Sequence, residues 1–143
     1  GRIAELGAAF GMNVLHHDPF VAGSIAPLEL AARADIVCIA CALTPENFHI
    51  VGRDFLAAMK PGALVINVAR GPLVDEAALI AALQAGQIAG AGLDVFETEP
   101  VAADNPLLAM KNVVLSSHNA NNGLRAVEAV HANTLRNLAS VLG

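Results

Sequence analysis

Basic clusters, long apolar runs and metal-type ligand spacings are all missing from this sequence, and each absence removes a class of function. Eight lysines and arginines stand against thirteen aspartates and glutamates, for a net charge of −5. With no basic patch, neither nucleic acid nor an anionic membrane is an expected partner. The longest unbroken apolar run, Ile36 to Leu43, is far too short to span a bilayer. His16, His17, His49 and His131 show no ligand spacing, so they are expected to make ordinary polar contacts rather than bind a metal. Cysteine is scarce: Cys38 and Cys41 form a C-x-x-C. Cys38 lies inside a strand-like segment, however, and positions three apart on a strand point to opposite faces. A redox pair also usually sits at a helix start. Two packed thiols in a reducing cytoplasm are expected, not a catalytic dithiol. No signal peptide, internal repeat or low-complexity linker is visible, and a cytoplasmic location is expected.

What is present is apolar and alternating. Hydrophobic residues make up 55% of 143 residues, and mean hydropathy is +0.56. That suits one domain whose sheet is covered by helices. Helices are expected over Ile3–Phe10, stopped by Gly11; from Pro27 to about Ala34; over Arg53–Met59; over Asp75–Ala85, stopped by Gly86; and over Ala126–Leu142. Strands are expected over Asn13–His17, Asp35–Ala40, Ala63–Val68, Gly90–Val95 and Val113–Leu115. Strands alternating with helices imply an α/β fold with a parallel sheet and right-handed crossovers.

Three polar residues follow three of the apolar strands: Arg70 after Ala63–Ala69, Glu99 after Ala91–Phe96, and His118 after Val113–Ser117. Open α/β sheets bind ligands outside the carboxyl ends of their strands. A guanidinium, a carboxylate and an imidazole would therefore gather in one cleft, able to hold an anionic substrate and move a proton. Taken singly, Arg70 could be a surface charge, Glu99 an exposed loop acid and His118 a polar contact. Their joint occurrence in this order is what gives them weight.

The amino terminus, Gly1-Arg2-Ile3-Ala4, matches the last four positions of a G-x-G-x-x-G/A turn, without the first glycine or the strand that should precede it. Alone this signal is nearly worthless. Asp18, seventeen residues after Gly1 and at the end of the next expected strand, raises it. An acid there can bond both ribose hydroxyls of an adenosine while the helix start takes the pyrophosphate. The competing role for Asp18 is turn formation before Pro19.

Three motifs resemble those of the D-isomer-specific 2-hydroxyacid dehydrogenases, and the resemblance covers essentially the whole chain. Asn67-Val68-Ala69-Arg70-Gly71-Pro72-Leu73-Val74-Asp75-Glu76 is similar to the family's N-x-[AS]-R-G-x-x-V-[DN]-[ET]. Gly92-Leu93-Asp94-Val95-Phe96-Glu97-Thr98-Glu99-Pro100 is similar to its G-x-D-V-[FY]-x-x-E-P, and Ser117-His118-Asn119-Ala120 to its [ST]-[PS]-H-x-[AG]. The resemblance implies a doubly wound, Rossmann-like parallel sheet, NAD as cofactor, and a small 2-hydroxy or 2-oxo acid of D configuration as substrate. It implies that Arg70 grips the substrate carboxylate, that His118 is the acid/base, and that Glu99 bonds to His118 and orients it. On the cofactor side it implies Gly1, Arg2 and Ile3 over the pyrophosphate, Asp18 on the ribose, Val68, Ala69 and Arg70 beside the nicotinamide, Asp94 on the nicotinamide side of the cofactor, and His118 in contact with the cofactor as well.

The sequence also departs from the family. Ala42 stands where proline is common, and Asn121 and Asn122 stand near positions where small residues are frequent. Family members add a substrate domain, expected to be absent here; residues 1–143 are expected to be a truncated dinucleotide-binding domain with a C-terminal helix, inactive by itself. Since the first strand is central in the order 3-2-1-4-5-6, Asn13–His17 and Ala63–Val68 are expected to border a gap. Those edges, with an apolar stripe on the last helix through Val127, Val130, Thr134, Leu138 and Val141, are expected to build a homo-oligomer. The alternative is a non-catalytic cofactor-binding or assembly module that keeps the catalytic residues by descent.

Overall fold

The computed structural model describes residues 1–119 and 123–142. Four parallel strands form one sheet: β1 (Ile36–Ile39), β2 (Leu64–Asn67), β3 (Gly90–Leu93) and β4 (Val113–Leu115), in the order β1-β2-β3-β4. The register pairs Ile39 with Asn67, Asn67 with Leu93, and Leu93 with Leu115. All four carboxyl ends therefore lie along one edge of the sheet. The helices are α1 (Arg2–Ala9), α2 (Pro27–Arg33), α3 (Arg53–Ala58), α4 (Glu76–Gln84) and α5 (Leu124–Leu142), and short 3-10 turns precede or follow the loops that carry the polar residues.

Right-handed crossovers that always step the same way put their helices on one face. Accordingly α2 packs on α3 and α3 on α4. Under them Val37, Ile39, Val65, Ala91 and Leu93 turn inward to meet Phe55, Leu56, Leu79 and Leu83, all buried. The strand periodicity fits this layer: in β1, Val37 and Ile39 are buried while Ile36 and Cys38 are exposed. Asp75 caps α4 by accepting from the Ala78 N–H at 2.9 Å, and Gly11 and Gly86 end their helices with φ of 77° and 67°. α5 keeps no residue buried, and its Val130, Leu138 and Val141 stand exposed.

Two expectations about the first half of the sheet fail. Residues 13–17 form no strand. A strand needs ladder partners for its N–H and C=O groups, and this segment bonds instead to its own following loop. The His16 carbonyl accepts from Ile25 N–H at 3.1 Å, and Asp18 N–H donates to Ser24 Oγ at 2.9 Å. Nor does the strand at Ala63–Val68 border a gap. β2 lies inside the sheet, paired on both sides, because each crossover adds the next strand outward; the edge on that side is β1.

Candidate active site

At two strand ends the loop that follows is shaped by a buried polar side chain. At the end of β2 the Asn67 side chain, 1% exposed, bends the chain. Its Oδ1 accepts the Ala69 N–H at 3.0 Å and its Nδ2 donates to the Arg70 carbonyl at 2.9 Å. This turn delivers Arg70 to the exposed sheet edge, where Nη1 donates to the Ala69 carbonyl at 2.6 Å. Gly71 follows because no other residue fits: a Cβ there would lie 1.8 Å from the Phe96 carbonyl oxygen. The backbone after β2 and the backbone after β3 are thus in direct contact.

The second bend belongs to Asp94, 4% exposed. Its backbone N–H donates to the Asn67 carbonyl at 3.0 Å, which ties the two bends together. Its Oδ1 accepts from the Ser116 hydroxyl and, at 2.9 Å, from the Asn119 N–H, while its carbonyl accepts from the His118 N–H at 2.8 Å. These bonds hold His118 at φ 55°, a conformation L-residues seldom adopt. Asp94, expected on the nicotinamide side, is therefore first of all the anchor of the histidine turn.

His118 and Glu99 meet. His118 Nδ1 lies 2.9 Å from Glu99 Oε2, and Glu99 Oε1 accepts the Phe96 N–H at 3.0 Å. The bond from His118, then that from Phe96, holds the Glu99 carboxyl below the ordinary carboxylate range. A carboxylate can only accept, so Nδ1 carries the hydrogen and the ring is fixed in that tautomer when neutral. Among the described residues nothing bonds Nε2. That nitrogen is free to take or give a substrate proton, in the manner of a histidine oriented by an acid. Arg70 shares the sheet edge with this pair, with no described hydrogen bond or ion pair to either member; β3 separates the strand that carries it from the strand that carries His118.

An open cleft of ≈ 620 Å³ lies beyond the ends of β1 and β2, lined by Ala40, Cys41, Ala42, Leu43, Val68, Ala69 and Arg70. Val68, Ala69 and Arg70 were expected here. Asp18 stands close enough that its charge adds to the rise which burial chiefly causes in the Cys41 thiol pKa. The turn role of Asp18 is observed, since Oδ1 accepts the Phe20 N–H at 3.0 Å. Gly1, Arg2 and Ile3 start α1 on an exposed surface, with Arg2 bonded to Glu5 at 3.3 Å; no described hydrogen bond joins them to the cleft. Ala120, Asn121 and Asn122 lie outside the described residues. A cleft at the carboxyl edge, small side chains against which a flat ring can lie, a guanidinium for an anion and a neighbouring acid for hydroxyls together fit a dinucleotide.

Comparison with known proteins agrees. The family model described as the D-isomer specific 2-hydroxyacid dehydrogenase NAD binding domain matches residues 1–120. The chain belongs to this family, and the matched residues are its NAD-binding domain. It is 55% identical over 89 residues to a glyoxylate/hydroxypyruvate reductase B of Yersinia pestis (strain Pestoides F), covering 62% of this chain and 27% of that protein. It is 42% identical over 127 residues to a D-3-phosphoglycerate dehydrogenase of Methanocaldococcus jannaschii, covering 82% of this chain and 24% of that protein. The Aquifex aeolicus D-lactate dehydrogenase, solved with NAD and lactic acid, superposes with a TM-score of 0.84 at 32% identity over 99% of this chain and 49% of the other. The chain therefore spans about a quarter of the length of these curated relatives and half of that solved chain.

Asn67, Gly71 and the pair His49–Glu97 have placements that motif reading did not assign. A polar residue closing an apolar run was a visible signal for Asn67. For Gly71 and Glu97 the cause is a contact between distant loops, which spacing along the chain does not carry.

Proposed function

We propose that this domain supplies the cofactor side and the acid/base group of an oxidoreductase that interconverts a D-2-hydroxy acid and its 2-oxo acid. The observation that carries this is the Glu99–His118 bond, which leaves Nε2 unengaged at the same sheet edge as Arg70. NAD, bound in the cleft, would supply the hydride chemistry. Val68 and Ala69 would support its nicotinamide end, and Asp18 would accept from its ribose hydroxyls. Arg70 would pair with the substrate carboxylate through two parallel N–H bonds and draw charge toward the carbonyl. His118 Nε2 would take the hydroxyl proton during oxidation and return it during reduction. Glu99 would stabilise the imidazolium that forms.

The test is a steady-state assay, with NADH and glyoxylate, hydroxypyruvate or phenylpyruvate, of a catalytically complete enzyme that contains this domain, since residues 1–143 alone are expected to be inactive. Turnover that His118→Asn abolishes is the expected result, and turnover that survives His118→Asn refutes the acid/base assignment. A second reading, a cofactor-binding module without catalysis, is favoured by the exposure of the Arg70 and His118 side chains, which no facing wall within the described residues covers. NAD binding without turnover would select it. The proposal further places the protein in the cytoplasm, where Cys38 and Cys41 stay as thiols. It also places it in a homo-oligomer formed on the β1 edge and the exposed apolar stripe of α5; light scattering reads that state directly.

A further inference from the structure

His49 and Glu97 take no part in the reaction proposed above, yet the structure ties them together with care. His49 Nε2 lies 2.8 Å from Glu97 Oε1. The other oxygen, Oε2, accepts the Glu76 N–H at 3.0 Å, at the first turn of α4. In return Glu97 N–H donates to Glu76 Oε2 at 3.1 Å, and Asn105 Nδ2 donates to Glu76 Oε1 at 2.7 Å. Glu97 is thus held by both its side chain and its backbone, with its carboxylate at a helix amino terminus that favours negative charge. His49 is itself fixed: its N–H donates to the Pro72 carbonyl at 2.9 Å, its ring stacks on Phe48 at 3.9 Å, and its backbone takes φ 54°. Four segments meet here: the loop after β1, the Arg70 loop, the start of α4 and the loop that ends in Glu99.

Glu97 adjoins Phe96, whose N–H holds Glu99 Oε1. The Phe96 carbonyl in turn lies against Gly71. Fixing Glu97 fixes the Phe96–Glu97 peptide, and through Phe96 the adjoining N–H that holds the Glu99 carboxylate toward His118. We propose that His49 and Glu97, locked to Glu76, are positioning residues that hold the 96–99 turn so that Glu99 meets His118. This rests on the reading of Glu99 and His118 as an acid/base pair. The ring of His49 supplies the one side-chain N–H in the lock that comes from outside the α4 and Glu97–Asn105 segments. It is therefore the group whose removal loosens the turn without deleting a charge next to Glu99.

The test follows the carboxyl titration of Glu99 by carbon NMR in the full chain, with Phe96 amide hydrogen exchange as a second readout. His49→Asn shortens the donor. His49→Gly removes it and suits the left-handed backbone. His49→Gln retains an N–H at similar reach. His118→Ala sets the full rise in the Glu99 midpoint when the imidazole that chiefly holds it down is lost. The expected result is a rise in His49→Asn and His49→Gly of at least half that in His118→Ala, with faster Phe96 exchange and unchanged Val65 and Leu79 amide signals. His49→Gln should stay near the parent. A Glu99 midpoint unmoved in His49→Asn and His49→Gly, while His118→Ala raises it, overturns the positioning role alone. A midpoint unmoved even by His118→Ala overturns the Glu99–His118 pairing and the positioning role with it.

Discussion

Gly71→Ala tests whether the loops carrying Arg70 and Glu99 are one mechanical unit. The added Cβ would sit 1.8 Å from the Phe96 carbonyl oxygen, 2.0 Å from its carbon and 2.5 Å from Glu97 N. All three atoms are backbone, so no side chain can rotate away. Carbon and oxygen that are not bonded rest at roughly 3.5 Å, so the seam must open by more than an ångström. Overpacking of this kind costs about 1–3 kcal/mol and occasionally more. The upper part of that range applies, since Leu73 and Val74 just beyond are 0% and 3% exposed and leave the loop no slack.

With a urea slope of about 1–3 kcal/mol per molar, the unfolding midpoint should fall by roughly 1 M or more. Circular dichroism is the suitable probe, because the chain has no tryptophan or tyrosine to report by fluorescence. Gly123→Ala is the control: a Cβ there meets nothing within 4 Å, and its midpoint should stay within error. A Gly71→Ala midpoint equal to that of Gly123→Ala would refute the seam. In a catalytically complete enzyme the same change should lower kcat/KM by roughly 10²-fold, the scale of a 1 Å misplacement.

Three further outcomes are expected. Asn67→Ala leaves the buried Ala69 N–H without its partner and takes from the Arg70 carbonyl one of its two donors, the Leu73 N–H remaining, and should destabilise the chain by about 1–3 kcal/mol, read by urea denaturation. Asp18 would repel a 2′-phosphate, so a catalytically complete enzyme that contains this domain should prefer NAD over NADP in steady-state assays, and Asp18→Ala should shrink that preference; equal use of both cofactors by the unsubstituted enzyme contradicts the ribose role. The Glu99 pKa is depressed in the folded state, so what its ionised form contributes is present above the unfolded carboxylate pKa and is lost as pH falls through the folded one. Below the ordinary carboxylate range the Glu99–His118 contact should break, visible in the ring signals of His118. The stability change should be small, because both side chains are partly exposed.

Much of this was legible in the sequence, for physical reasons that differ by element. β2, β3 and β4 announce themselves because short apolar runs sealed by turns have few other folded fates. The pairing of Glu99 with His118 followed from resemblance, and the geometry agrees with it through one bond of 2.9 Å. The failures share a cause. Residues 13–17 carry a strand-like pattern, but a strand is a relation between segments, and here the neighbour is a loop. The position of β2 was misjudged because sequence gives the order of strands in time and not in the sheet. His49 looked like an ordinary polar histidine, and along the chain it is; its partner stands 48 residues away.

Asn67 and Asp94 are the two buried polar residues among those described, and they explain why this sheet edge can be a site at all. A strand that leaves its sheet loses ladder partners, and each freed backbone group must find another. Asn67 serves the chain leaving β2, and Asp94 serves the chain leaving β4 from its own place at the end of β3. Their backbones are joined by one hydrogen bond. The two turns that present Arg70 and His118 are therefore built on a common anchor rather than on independent loops. An apolar residue at either position would remove the partners and let its turn drift, even if the strand itself paired as before. The roles proposed for Arg70 and His118 would need both groups held at a fixed separation on rigid, satisfied supports. That requirement, more than packing, is the physical case for spending buried polarity at these two strand ends.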